Sequence, residues 1–189
     1  MNSYLTKQKN TIDFFNSYIH FDKISEIGMV FIAGGAITDY FLYGKLTSDV
    51  DLFCDSKETV NDIVNYYNSN GGIRILTNNE YVIQFIWNDI KIDISSTYYE
   101  SPSDYIENCD FIICAVALHN KKFSYSSDYF AHIEQGVIGI NNITRPYQLL
   151  KRIQKYIKKG FVISDLDNLK IINYYSSLDK KDINNIIST

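Results

Sequence analysis

Phe31-Ile-Ala-Gly-Gly-Ala-Ile-Thr-Asp-Tyr-Phe-Leu-Tyr-Gly-Lys-Leu-Thr-Ser-Asp-Val-Asp-Leu-Phe53 is the stretch on which the reading of this chain turns. An apolar strand runs into Gly34-Gly35, a short helix follows, and Asp49-Val50-Asp51 opens a second apolar strand. The paired glycines let backbone approach a bulky ligand, and the amides at the start of the next helix face phosphate readily. Side chains two apart on a strand share a face, so Asp49 and Asp51 point the same way. Two carboxylates beside a phosphate-binding turn can hold Mg²⁺ (or Mn²⁺) against a polyphosphate. That combination implies nucleotidyl transfer from an NTP.

A third carboxylate extends the set. Residues 81–87 and 90–94 read as two strands joined by a tight turn at Asn88-Asp89, and Ile92-Asp93-Ile94 puts Asp93 between apolar neighbours. Asp49 and Asp51 are expected to bridge two metals and Asp93 to complete one of them. An edge-strand aspartate facing water would give the same pattern at Asp93, so that alternative stays open. In the two-metal scheme one ion activates the attacking hydroxyl and the other stabilises the departing pyrophosphate. The expected catalytic and metal residues are therefore Asp49, Asp51 and Asp93, with Gly34 and Gly35 cradling the β- and γ-phosphates. Asp39, four positions after Gly35, reads as a hydrogen-bonding residue that orients the turn.

Around this centre the pattern places helices at 5–18, 36–43 and 57–67, strands at 29–33, 50–54 and 73–76, and a short helix near 129–134. Phe111 to Leu118 is continuously apolar and fits either a strand or a buried helix. Beyond Pro146 the chain turns helical, with Leu149, Ile153, Tyr156 and Ile157 on one face and Lys151, Lys155, Lys158 and Lys159 on the other. Further helices are expected at 166–175 and 181–187. The expected class is α+β, a mixed sheet with flanking helices, divided into a head at 1–143 and a small helical appendage at 144–189.

The 189 residues are 46% hydrophobic and include 16 Tyr, 11 Phe and 2 Pro, enough for one ordinary core. A net charge of −4 argues against broad non-specific nucleic-acid binding but leaves room for a local basic face. Cys54, Cys109 and Cys114 lack zinc-like spacing and suit a reducing compartment. With no signal-like N-terminus and no membrane-length apolar run, a soluble, cytoplasmic protein is expected.

At Gly34-Gly35, Asp39, Gly44 and Asp49-Val-Asp51 the chain resembles the polymerase β-like nucleotidyltransferase superfamily, most of all the head domain of class II CCA-adding enzymes and bacterial poly(A) polymerases. Thr38 stands where those proteins carry arginine. Their next motif, two arginines followed by Asp-Phe and an apolar run, is echoed by Asn108-Cys109-Asp110-Phe111 without either arginine. The resemblance assigns Asp110 to the ribose hydroxyl, although a capping aspartate would read identically. The segment from Arg145 is similar to the helix that opens the family's neck. Thr144, Arg145 and Gln148 replace its base-reading residues, and Lys151 falls where a further nucleotide-binding arginine usually sits.

The resemblance implies an RNA 3′ end, tRNA foremost, as acceptor, with Arg145, Arg152 and Lys155 as possible phosphate or RNA contacts. Most such basic faces are merely solvated. Two alternatives remain: a transferase that modifies a protein or small molecule, and a catalytically weak nucleotide- or RNA-binding module.

Overall fold

The computed structural model describes residues 2–179, with side chains from residue 4 onward. Among them run α1 (Asn2–Ile19), α2 (Phe21–Ile24), β1 (Val30–Ala33), α3 (Gly35–Tyr43), β2 (Val50–Cys54), α4 (Lys57–Ser69), β3 (Arg74–Asn78), β4 (Val82–Trp87) and β5 (Ile90–Ser95). Next come α5 (Pro102–Asn108), a 3₁₀ turn (Ile112–Cys114), β6 (Val116–His119), β7 (Lys122–Tyr125), α6 (Tyr129–Gln135), β8 (Val137–Ile138), α7 (Pro146–Lys158), β9 (Val162–Ile163) and α8 (Asp165–Ser177). The chain forms two compact units, one of Met1–Ile106 with Val116–Tyr125 and the other of Glu107–Ala115 with Ser126–Thr189. The helix expected at 181–187 lies outside the described residues.

The first unit holds a seven-stranded sheet in the order β3-β4-β5-β2-β1-β6-β7. Its neighbours are antiparallel except β2 and β5, which run parallel. The α+β class and mixed sheet expected from the pattern are what the chain adopts. One sheet face contributes Val30, Ile32, Leu52, Cys54, Phe85, Ile92 and Ile94, all almost fully buried. Tyr67 of α4 packs its ring against Phe85 and Trp87 on this face. The opposite face carries the aromatic cluster of Phe31, Phe53, Tyr99 and Tyr105, and beside it the aspartates.

Two turns set the register. Asn88 and Asp89 both take positive φ, 48° and 62°, giving the twist a two-residue hairpin needs. Gly44 ends α3 in the left-handed region at φ 65°, which the open chain after it requires. The apolar run from Phe111 to Leu118 is neither one strand nor one helix. It splits into the 3₁₀ turn of the second unit and β6 of the sheet, so each half satisfies a different core.

In the second unit, Leu149, Ile153 and Tyr156 form the buried stripe of α7. The Tyr156 hydroxyl meets Cys114 Sγ at 2.8 Å, and its ring stands edge-on to Phe111 and Phe161. The short elements α2, α5, β8 and β9 escaped the pattern reading, because so few residues carry little periodicity. Among the described residues, no helix is long and apolar enough to cross a membrane.

Candidate nucleotidyl-transfer site

Backbone pairing assembles the carboxylates. In the parallel pair β2–β5, Val50 lies level with Ile92 and Asp51 with Asp93. Level residues on adjacent strands share a sheet face, so Asp51 and Asp93 stand side by side. Asp49, two positions earlier and just before β2, falls on the same face. It sits one step before the paired residues, within reach of the Lys91 ammonium. Asp39 holds this entry to β2. Its Oδ2 accepts hydrogen bonds from the Thr47 amide (3.2 Å), the Thr47 hydroxyl (2.6 Å) and the Ser48 hydroxyl (2.8 Å). Buried in α3, Asp39 thus fixes the two residues that precede Asp49.

Two neighbours went unnoticed in the sequence. Lys91 Nζ lies 2.7 Å from Asp49 Oδ2 and 3.7 Å from Asp93 Oδ1. Gln84 Nε2 donates to Asp93 Oδ2 at 2.7 Å. Both were within reach of pattern reasoning. A two-residue turn at 88–89 makes Gln84 the partner of Asp93, as observed, and Lys91 shares Asp93's face by alternation.

The electrostatics follow from burial. Desolvation pushes the Asp93 carboxyl above the usual carboxylate range, and Asp49 adds to the push. The hydrogen bond from Gln84 and the charge of Lys91 pull against it without cancelling it. The hydrogen bond to Asp49 holds the Lys91 ammonium above its ordinary value. Asp93 Oδ1 is buried and has no hydrogen-bond partner. Such an oxygen is costly unless a cation approaches it.

Among the described residues, no group of three or more His, Cys, Asp or Glu is gathered to hold a metal ion. The cation between Asp49 and Asp93 is Lys91. In donor chemistry the set still suits Mg²⁺ or Mn²⁺, offering hard carboxylate oxygens, one of them buried without a hydrogen bond.

At the turn, Gly34 adopts φ 78° and ψ −140°, which only glycine takes without strain. A β-carbon there would stand 2.8 Å from the Tyr105 hydroxyl. The Gly34 amide donates to the Val116 carbonyl at 3.0 Å, tying the turn to β6. The first-turn amides of α3, beginning at Gly35, are the ones without an intrahelical acceptor.

The remaining candidates belong to the second unit. Asp110 is fully buried there. Its Oδ1 accepts from the Thr144 amide (3.0 Å) and hydroxyl (2.7 Å), and its Oδ2 pairs with Arg152 Nη1. The Arg152 guanidinium also lies over the Phe111 ring, 5.1 Å from its centroid. Both Asp110 oxygens and the Arg152 head are thus engaged within the fold. Arg145 occupies the N-cap position of α7. Tyr147, Gln148, Lys151, Arg152 and Lys155 line a cavity of about 640 Å³ on α7.

Residues 6–136 match the Gad2 family, described as Gabija anti-defense 2 family protein. The chain belongs to the Gabija anti-defense 2 family. No curated protein sequence matches it. Among solved structures, an apo form of CCA-adding enzyme aligns with a TM-score of 0.65 at 15% identity, over 82% of this chain and 41% of that one. A tRNA nucleotidyltransferase complexed with a primer tRNA and an incoming ATP analog aligns at 0.60 and 16%, over 77% and 47%. The Thermotoga maritima CCA-adding enzyme complexed with tRNA aligns at 0.57 and 17%, over 76% and 39%. At these identities the likeness shows the nucleotidyltransferase fold, and the chain spans less than half the length of each of these three structures.

Proposed function

We propose that this chain is a Mg²⁺-dependent nucleotidyltransferase that moves a nucleoside monophosphate from an NTP to an acceptor hydroxyl. The observation that carries the reading is Asp51 level with Asp93 on parallel strands, with Lys91 Nζ within reach of both Asp93 and Asp49. Asp49, Asp51 and Asp93 would hold the divalent ion, which when bound neutralises the polyphosphate and lowers the pKa of the attacking hydroxyl.

In the step itself, the acceptor oxygen forms a bond to the α-phosphorus as the bond from that phosphorus to the bridging oxygen breaks. Pyrophosphate leaves with the electron pair, and the hydroxyl proton passes to a carboxylate. Asp93, level with Asp51 on the neighbouring strand, would take that last role. Gly34 keeps the turn open for phosphate, and the first amides of α3 face it. In the class II head-domain layout, residues 1–143 form the catalytic head and 144–189 a neck-like appendage. Lys151 would then contact nucleotide, and Arg145 and Lys155 acceptor phosphates, while Asp110 and Arg152 are already bonded to each other within the second unit.

The family name describes action against a defence system, Gabija, and nucleotidyl transfer would be its chemical means. An RNA 3′ end, tRNA first, is the acceptor we favour on the likeness to tRNA nucleotidyltransferases. The family name itself supports a second acceptor, a hydroxyl on a protein of that defence system.

Incubation with each α-labelled NTP, Mg²⁺, and either total RNA or the Gabija proteins tests the reading. Label should enter one acceptor with the parent chain and fall by about 10³-fold or more with Asp49→Ala or Asp51→Ala, since the metal clamp supplies several kcal/mol. Equal labelling by the variants would sink the assignment. NTP binding with no labelled acceptor and no pyrophosphate would instead indicate a binding module.

A further inference from the structure

Lys91 is a cation on the carboxylate face to which nucleotidyl transfer assigns no role. Its ammonium sits 2.7 Å from Asp49 Oδ2 and 3.7 Å from Asp93 Oδ1, so it contacts two of the three carboxylates that would hold the metal. It arrives there from β5, two residues before Asp93 on the same face, beside the start of the paired β2. The remaining short contact to Asp93 comes from Gln84, which is neutral. We infer that the Lys91 ammonium and a divalent ion compete for Asp49, making Lys91 a tethered cation that sets the metal affinity of the site. This inference rests on the nucleotidyltransferase reading for its metal.

The physical argument is one of charge. Two carboxylates on one sheet face repel, and the cost grows where water is scarce, as at the buried Asp93 Oδ1. Lys91 relieves that repulsion without an external ion. A divalent ion entering at Asp49 must displace an ammonium already hydrogen-bonded there, and it is repelled by that same charge. The Lys91 stem is one-third exposed, which gives the head a path away from the face. Lys91 therefore lowers the resting affinity for metal, and the site fills effectively when an NTP brings its own divalent ion.

Mn²⁺ titration followed by electron paramagnetic resonance, with no nucleotide present, tests this on the parent chain and on Lys91→Met and Lys91→Arg. Methionine keeps the bulk and removes the charge, whereas arginine keeps the charge. Lys91→Met should bind Mn²⁺ about tenfold or more tightly than the parent, and Lys91→Arg should stay within about twofold of it. Thermal unfolding gives a second readout. Lys91→Met should melt below the parent without Mg²⁺ and gain more than the parent when Mg²⁺ is added. Identical Mn²⁺ titrations of Lys91→Met and parent would overturn the role of Lys91 and leave nucleotidyl transfer standing. No Mn²⁺ uptake by Lys91→Met would likewise overturn the role of Lys91, and the labelling assay decides nucleotidyl transfer separately.

Discussion

Asp93 in the sheet unit and Asp110 in the helical unit are both aspartates withdrawn from water, yet their surroundings treat them differently. Asp110 has its two oxygens taken up by Thr144 and by Arg152, whose guanidinium lies over the Phe111 ring. Asp93 has one oxygen bonded to Gln84 and the other buried with no hydrogen bond. Asp167 resembles Asp110. Burial pushes its carboxyl up, but hydrogen bonds from Lys170, Ser164 and the Ile140 amide outweigh that and hold it below the usual carboxylate range. The difference separates aspartates that close a fold from one kept short of partners. A carboxylate with its donors supplied contributes to stability, and one left short of them is held ready for a cation or a proton.

Replacing one member from each side should break the comparison cleanly. Asp93→Asn should remove transfer while leaving the denaturation midpoint at pH 7 no lower than the parent's. Asp110→Ala should destabilise the chain by about 2–4 kcal/mol, because it strands the Arg152 guanidinium and the Thr144 donors. Urea unfolding of both variants measures this, and a fully stable Asp110→Ala would show that Asp110 is not a structural residue. Asp39→Ala should fall between the two. Losing three hydrogen bonds to Thr47 and Ser48 should cost about 1–3 kcal/mol and reduce transfer as well, since Asp49 follows those residues directly.

The smallest effects carry opposite signs. The carboxyl pKa of Asp93 is raised by folding, so the folded state binds that proton more tightly than the unfolded chain. Stability then falls as pH rises from the ordinary value of 3.8 through the raised one. Asp93→Asn should therefore be more stable than the parent at pH 7, with the gain gone below 3.8. Asp167 behaves inversely. Its depressed pKa contributes stability above 3.8 that disappears as pH falls through the folded value, so Asp167→Asn should lose stability at pH 7 and match the parent in acid. Thermal melts from pH 3 to 7 would refute the contrast if both variants shifted the same way.

Much of this fold is legible where local rules act. The strand at 50–54, the helix after Gly34-Gly35 ending at Gly44, and the hairpin at Asn88-Asp89 all follow from alternation, glycine conformation and turn chemistry. Even the Gln84–Asp93 pair is implied by a two-residue turn, although it takes a register count to see it. The apolar run at 111–118 resisted, because continuous hydrophobicity has no period, and the split between two units depends on what each half meets.

By itself the sequence determined that Asp49 and Asp51 share a face, that Asp93 lies on another strand, and that Gly34 lies in a turn. Those are consequences of two-residue alternation and backbone sterics, which act within a few residues. Only the tertiary structure decided that β5 lies parallel beside β2, which sets Asp51 level with Asp93 and carries Lys91 to Asp49. It also decided that Asp110 meets Arg152, 42 residues further on. Parallel neighbours and buried ion pairs join distant segments, and their partners are chosen by global packing rather than by any local preference.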